Sequence, residues 1–320
     1  MARADVLIVS LGGTTGLREA DAELAASLRR AGADVAEVRA APVREWRTFA
    51  LIELAWARSA RRAALAGIAE HAPRSVVYSS TTAALLAPRP GAIRFDAPAA
   101  GNRPGRHGVW QRPLERRRFR AAPLLVPWSE GALAEAPARR ADAVVVPVPV
   151  EPSGPAAPAR DLAAVTYGAN PHKKGLDRVL AAWRAVRRDG EELVVAGLDA
   201  AGEPGVRYAG ALPRDDYRAL VRRARCFVTA PRREDYGIAQ LEALADGCVL
   251  VTTPSPGPYA ALPVARALDA RTVGDDLGRA LRSALDDPAP GYAQRAAAAL
   301  APWRREAVDA VVRDELLPRL

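Results

Sequence analysis

Short apolar runs alternate with longer amphipathic stretches along most of the chain, the pattern of parallel strands separated by crossover helices. Asp5–Ser10 (DVLIVS) reads as a buried strand, 17–30 as a helix closed by Ala31-Gly32, and Ala33–Arg39 as the next strand. A helix is expected over Trp46–His71, a strand over Ser75–Ser79, a short helix over Thr81–Leu86 and a strand over Ala92–Phe95. That strand runs into Asp96–Gly105, a glycine- and proline-rich loop of the kind that carries sites. Val109–Arg120 reads as a basic helix with Trp110, Leu114 and Phe119 as its apolar residues.

The pattern restarts after Pro152-Ser-Gly-Pro-Ala-Ala-Pro, a linker by composition. Strands are expected over Leu162–Tyr167, Glu191–Ala196, Phe227–Thr229 and Cys248–Val251. Helices are expected over Leu176–Arg188, Asp215–Ala224, Asp275–Asp287, Gly291–Ala299 and Trp303–Leu316. A further helix opens at Gly237, with Ile238, Leu241, Leu244 and Ala245 on one stripe, and stops at Asp246-Gly247. The fold class is therefore α/β, two doubly wound Rossmann-like domains divided as 1–150 and 151–302.

Two stretches carry candidate chemistry. In the first, Glu234 stands in the loop at a strand's carboxyl end and Glu242 about a turn and a half into the following helix. Ligands of open α/β sheets bind outside the carboxyl ends of the strands, and a helix N-terminus there suits a diphosphate. The two carboxylates could then accept from sugar hydroxyls. Equally, Glu234 could be a solvated loop charge and Glu242 the partner of an arginine. The second stretch is Gly168–Gly175, whose Lys173 and Lys174 are the only lysines of the chain. A cation at a helix start is unfavourable unless an anion sits there, so a lysine at this turn points to a phosphate.

Glu234, Asp235, Tyr236, Gly237, Ile238, Leu241, Glu242, Ala243, Ala245 and Gly247 resemble the E-x7-E signature of family 4 retaining glycosyltransferases of the GT-B fold, usually written E-G-F-G-x-x-x-x-E-A-x-A-x-G. Gly168–Gly175 resembles that family's G-R-x-x-x-x-K-G, with Lys174 on the phosphate-binding lysine and Ala169 where the family has arginine. Arg232 or Arg233 is expected to replace that missing cation. Gly12 and Gly13, with Glu19 following, resemble the family's G-G-x-E start, where backbone amides approach a phosphate. Asp96 aligns with a position that is often histidine, and Asn102, Arg103 and His107 follow it in the same loop.

The resemblance implies a GT-B fold, a first domain for the acceptor and a second for the nucleotide diphosphate sugar, with 303–320 packing back on the first domain. It implies Glu234, Lys174 and Asp96 as catalytic residues, with Glu234 on donor-sugar hydroxyls and Glu242 on the ribose. Tyr236, Gly237 and Ile238 would hold sugar and phosphate, and Val206–Leu212, which includes Tyr208, resembles the family's short strand and turn that holds the nucleobase through backbone groups. The implied reaction is retaining sugar transfer to an acceptor hydroxyl, with no metal and no cofactor beyond the sugar-nucleotide co-substrate.

Composition changes this picture little. Of 320 residues, 49% are hydrophobic and 26% charged, as in a globular protein. No apolar run of about 18 residues marks a membrane span, and no signal peptide is evident. Cys226 and Cys248 both fall in apolar strands and read as thiols of a reducing cytoplasm. The net charge of +9 favours anionic partners. Peripheral contact of the basic helix with an anionic inner membrane face stays open, although an arginine- and alanine-rich composition also follows from genomic base bias. Scattered aromatics argue against nucleic acid. D-x-D, zinc-ligand spacing, G-x-S-x-G and the P-loop are all absent. Two alternatives to transfer remain at this point: a sugar-nucleotide-binding relative without turnover, and a basic membrane-surface protein with a vestigial site.

Overall fold

A computed structural model describes residues 3–44, 48–103, 105–137, 142–155 and 159–320. Trp46, the linker positions 156–158 and the side chain of His107 lie outside the described residues. The chain divides into two units, residues 1–149 with Arg305–Leu320, and Val150–Arg304.

In the first unit the described strands are β1 Val6–Ser10, β2 Val35–Arg39, β3 Ser75–Tyr78, β4 Ala92–Phe95, β5 Leu124–Pro127 and β6 Asp142–Ala143. They form one parallel sheet in the order β2-β1-β3-β4-β5-β6. Both faces are covered, which is why β1 is buried throughout and apolar from Val6 to Val9. Alternation splits it between two cores. Val6 and Ile8 pack with Leu24 and Leu28 of the helix Thr15–Arg30 and with Val308, Val312 and Leu316. Leu7 and Val9 pack with Ala60, Ala64 and Phe119. Arg305–Val311 is an α-helix that loosens into a π-turn over Val312–Leu316, where the sequence pattern suggested one continuous helix.

The strand order reverses between β1 and β3, and buried polar groups tie the carboxyl ends of these strands together. Asp21, on the helix after β1, accepts from Ser10 Oγ and, at 2.9 Å, from Ser79 Oγ. Its other oxygen lies 3.5 Å from Arg94 Nη1 on β4. The Arg94 guanidinium in turn stacks over Trp128 at 4.7 Å. No local pattern in the sequence announced this cluster.

Two expectations shift here. The basic helix runs over Gln111–Ala121, preceded by a 3-10 turn at Gly105–Gly108. Pro113 does not interrupt it, because a proline in the first turn forfeits no intrahelical hydrogen bond. Its Gln111, Glu115 and Phe119 are buried, so the aromatic residue is an anchor to the core. The loop after β4 contains a helical turn, Ala99–Asn102, and Glu115 caps it, accepting from the Ala99 N–H at 3.0 and 2.9 Å.

The second unit has β7 Leu162–Tyr167, β8 Leu193–Ala196, β9 Val206–Gly210, β10 Ala224–Thr229 and β11 Val249–Thr252, all parallel, in the order β11-β10-β7-β8-β9. Helices Leu176–Val186, Arg214–Arg223, Ile238–Ala245, Leu277–Asp286 and Tyr292–Ala299 lie near their expected positions. Ala261–Leu268 is an additional helix, again with a proline, Pro263, in its first turn. The helix Ile238–Ala245 has no single buried stripe: Gln240, Leu241, Glu242, Ala243 and Leu244 are all buried.

Burial pushes the Glu115 carboxyl up to about 7, outweighing the pull of the Ala99 N–H and Thr81 in the other direction. The folded chain therefore keeps a proton that the unfolded chain releases near 4.5. Stability from this group should fall as pH rises from about 4.5 through 7, by about 3 kcal/mol in total. Urea denaturation of wild type and Glu115→Gln across pH 4.5 to 8 should show the variant gaining on the wild type as pH rises. A constant gap would refute the assignment.

Candidate functional site

In the second unit the strand order reverses between β7 and β10, and the loops that follow these two strands meet there. Such a reversal opens a crevice at the carboxyl edge of a doubly wound sheet. The loop after β7 makes one helical turn, Pro171–Lys174, capped by Asn170, which accepts from the Lys173 N–H at 3.0 Å. Gly175 closes the turn with φ +64, and a Cβ there would stand 1.8 Å from the Ala230 carbonyl oxygen of the opposite loop. Only glycine permits this backbone-to-backbone approach.

The loops are then stitched along their length. The Arg232 N–H donates to Lys173 O at 3.0 Å. Its guanidinium donates to His172 O at 2.8 Å and to both oxygens of Asp177 at 2.9 and 2.7 Å. The Glu234 N–H donates to Pro256 O at 3.1 Å. Two lysine–carboxylate pairs complete the junction. Lys174 Nζ lies 2.7 Å from Glu234 Oε2, which also accepts from Gln240 Nε2 at 2.9 Å. Lys173 Nζ lies 2.9 Å from Asp235 Oδ2, and Arg233 Nε donates to Oδ1 of the same carboxylate at 2.7 Å. Burial pushes the Asp235 carboxyl up, but Lys173 and Arg233 together outweigh it and hold it below the usual aspartate range.

Glu234 and Asp235 are only 4% and 5% exposed, so Glu234 is no solvated loop charge. Arg232, one expected substitute for the missing cation, is committed to Asp177, and the other, Arg233, to Asp235. Tyr236 accepts through its hydroxyl from Trp303 Nε1 at 3.0 Å. Gly237, at φ +91, packs against the Tyr259 ring, and the helix begins at Ile238.

Glu242 belongs to a different network. Its Oε1 accepts from Arg214 Nη2 at 2.7 Å and Arg218 Nη1 at 3.1 Å. Arg218, itself buried, also reaches Asp246 at 2.8 Å and Glu151 O at 3.0 Å. Of the two readings left open for Glu242, the arginine pair is present in the structure. Tyr208 and Leu212 are half-buried on and beyond edge strand β9. The Gly197 N–H donates to Gly210 O between them at 2.7 Å.

The remaining candidates lie in the first unit. Gly12 has φ +61 and rests against Arg39, and its carbonyl accepts from Arg18 at 3.0 Å. Gly13 is exposed beside it, where β1 gives way to the capped helix. Asp96 is half-buried after β4 and accepts from the adjacent Ala97 N–H at 2.8 Å, a local turn cap. Arg103 pairs with Glu53 at 2.6 Å.

The sequence reading missed Asp235, Gln240, Arg214 and Arg218 as partners. The one signal available was the doubled lysine. A groove of about 530 Å³ on the second unit, lined by Arg178, Thr253, Asp275 and Asp276 among others, includes none of the junction residues. Among the described residues no group of three or more His, Cys, Asp and Glu could hold a metal ion, and no helix is long and apolar enough to cross a membrane.

Residues 162–287 match the family described as Glycosyl transferases group 1. The matched stretch lies within the second unit, and both junction loops fall inside it. No curated protein matches the sequence. Among solved structures, the chain is similar to a sucrose-phosphate synthase from Thermosynechococcus elongatus, at TM-score 0.74 and 14% identity over 96% of each chain. It is also similar to WaaG, a glycosyltransferase involved in lipopolysaccharide biosynthesis, at TM-score 0.70 and 16% identity over 96% of this chain and 99% of that one. An alpha,alpha-trehalose 6-phosphate synthase from Burkholderia multivorans aligns at TM-score 0.69 and 12% identity over 99% and 98% of the two chains. The fold, two parallel-sheet Rossmann-like domains, is that of GT-B glycosyltransferases.

The contact at Gly175 can be tested against a control. Gly190 has φ +81 with nothing near its missing Cβ. Gly190→Ala should cost about 1–2 kcal/mol from the left-handed backbone alone. Gly175→Ala adds the clash with Ala230 O and should cost clearly more in urea unfolding. Equal losses would show that the loops do not need this close approach.

Proposed function

We propose that the chain is a retaining glycosyltransferase that moves a sugar from a nucleotide diphosphate sugar to an acceptor hydroxyl without a metal ion. The observation that carries this reading is the Lys174–Glu234 pair at the β7/β10 reversal of a glycosyl transferases group 1 domain. Crevices of this kind bind nucleotides with the phosphates at the strand ends. The similar structures, among them synthases of sucrose phosphate and trehalose phosphate, agree with a sugar-transferring role.

In this reading the barrier lies in breaking the bond between the sugar's anomeric carbon and the diphosphate, which leaves negative charge on the departing group. Lys174 and the N–H groups opening the helix Ile238–Ala245 act on that charge as fixed, preorganised electrostatics. Glu234 accepts from donor-sugar hydroxyls, and the amides of Tyr236 and Gly237 hold sugar and phosphate. Glu242 takes the ribose hydroxyls on the oxygen edge that Arg214, half-exposed, can release. Backbone groups near Tyr208 and Leu212 hold the base. Gly12, Gly13 and Asp96 serve from the first unit, the side assigned to the acceptor. The setting is the cytoplasm, where Cys226 and Cys248, both buried and free, remain thiols.

A second reading, donor binding without transfer, draws on Ala169, a methyl group where a guanidinium is expected. Thermal-shift titration with uridine, guanosine and adenosine diphosphate sugars, followed by a transfer and hydrolysis assay, separates the two. Lys174→Ala and Glu242→Gln should each lower the rate at least tenfold, about 1.4 kcal/mol in barrier. Glutamine is chosen at position 242 because it keeps an acceptor for buried Arg218, whereas alanine would remove one of its two carboxylate partners. Wild-type rates in both variants would count against transfer at this site.

A further inference from the structure

Resting on the nucleotide-sugar reading above, we propose that Lys173 is the second diphosphate-binding cation of the site. A nucleoside diphosphate brings at least two negative charges, and Lys174 alone leaves one of them uncompensated. The junction offers three other cations, and their surroundings differ. Arg232 holds the Pro171–Lys174 turn through Asp177 and His172 O, so withdrawing it would undo the loop itself. Arg233 is enclosed, with 17% of its side chain exposed, and lies against Asp235. Lys173 is 44% exposed, on a flexible four-carbon stem.

The two lysines are held in the same way. Adjacent residues of one loop reach adjacent carboxylates of the other, Lys174 to Glu234 and Lys173 to Asp235. Both ammonium groups therefore lie along one short stretch of the opposite backbone, within reach of neighbouring phosphates. Each carboxylate also has a second donor. When Lys174 turns to a phosphate, Glu234 keeps Gln240. When Lys173 turns, Asp235 keeps Arg233. Leaving a buried carboxylate without a partner is strongly unfavourable, and the second donors reduce that penalty. Asp235 thus acts as a holder that parks Lys173 at the crevice while the donor is absent.

If Lys173 and Asp235 were only a structural ion pair, removing either side would have the same effect. The proposal predicts opposite effects. Isothermal titration of the full chain with uridine, guanosine and adenosine diphosphates, and with the matching monophosphates, supplies the readout. Lys173→Ala should bind the preferred diphosphate about tenfold more weakly and the monophosphate within twofold of wild type. Asp235→Asn should bind the diphosphate as tightly as wild type or more tightly. Melting temperatures without nucleotide verify that both variants fold. Unchanged diphosphate affinity in Lys173→Ala, or equal losses in the two variants, overturns the role of Lys173 and leaves the glycosyltransferase reading intact. A wild-type chain that binds none of the three diphosphates sinks both.

Discussion

The junction of the second unit depends on a place where two backbones touch. Gly175 lets the loop after β7 lie directly on the Ala230 carbonyl at the end of β10. That contact sets the register in which Lys173 and Lys174 meet Asp235 and Glu234. On an open surface such ion pairs would contribute little. Here the carboxylates are almost fully buried, so each requires a partner. The need for partners orients the lysines across the junction.

The first unit handles its own strand reversal with the same physics and different residues. Ser10 at the end of β1 and Ser79 just past β3 converge on Asp21, which faces Arg94 beneath Trp128. Burial raises the Asp21 carboxyl, and Arg94 with the two serine hydroxyls draws it back down without cancelling the shift. The loop that begins at Gly12 therefore springs from a rigid base. Glu115 plays a related part under the loop after β4, where a buried carboxylate caps a helical turn too short to stand alone. In each unit irregular loops at the strand ends are moored by buried polar side chains.

Glu242 stands at the centre of a second buried charge network. Arg218, buried at its back, joins it to Asp246 and to the carbonyl of Glu151. Arg214, half-exposed, covers its outer side. The inner arginine fixes the orientation of the carboxylate, while the outer one stays half in solvent. A carboxylate in the middle of a buried helix is retained at the cost of this scaffold.

The alternation of apolar runs and amphipathic stretches, with the resemblance at Val206–Leu212, was sufficient to locate nine of the described strands, because a doubly covered sheet demands continuous apolar segments whatever the partners are. Gly175 and Gly237 were legible for a similar local reason: a left-handed turn at a strand-to-helix loop admits few residues but glycine. Side-chain partnerships were not legible. Asp21 and Arg94 are far apart in the chain, as are Lys173 and Asp235, and periodicity reports which face a residue occupies, never what stands opposite. The helix Ala261–Leu268 was missed because its proline looks like a breaker until its place in the first turn is known. Thus the order of strands and helices, the glycine turns and the lysine pair follow from the chain's own chemistry. Which cation meets which carboxylate was decided only when β7 and β10 came to lie side by side.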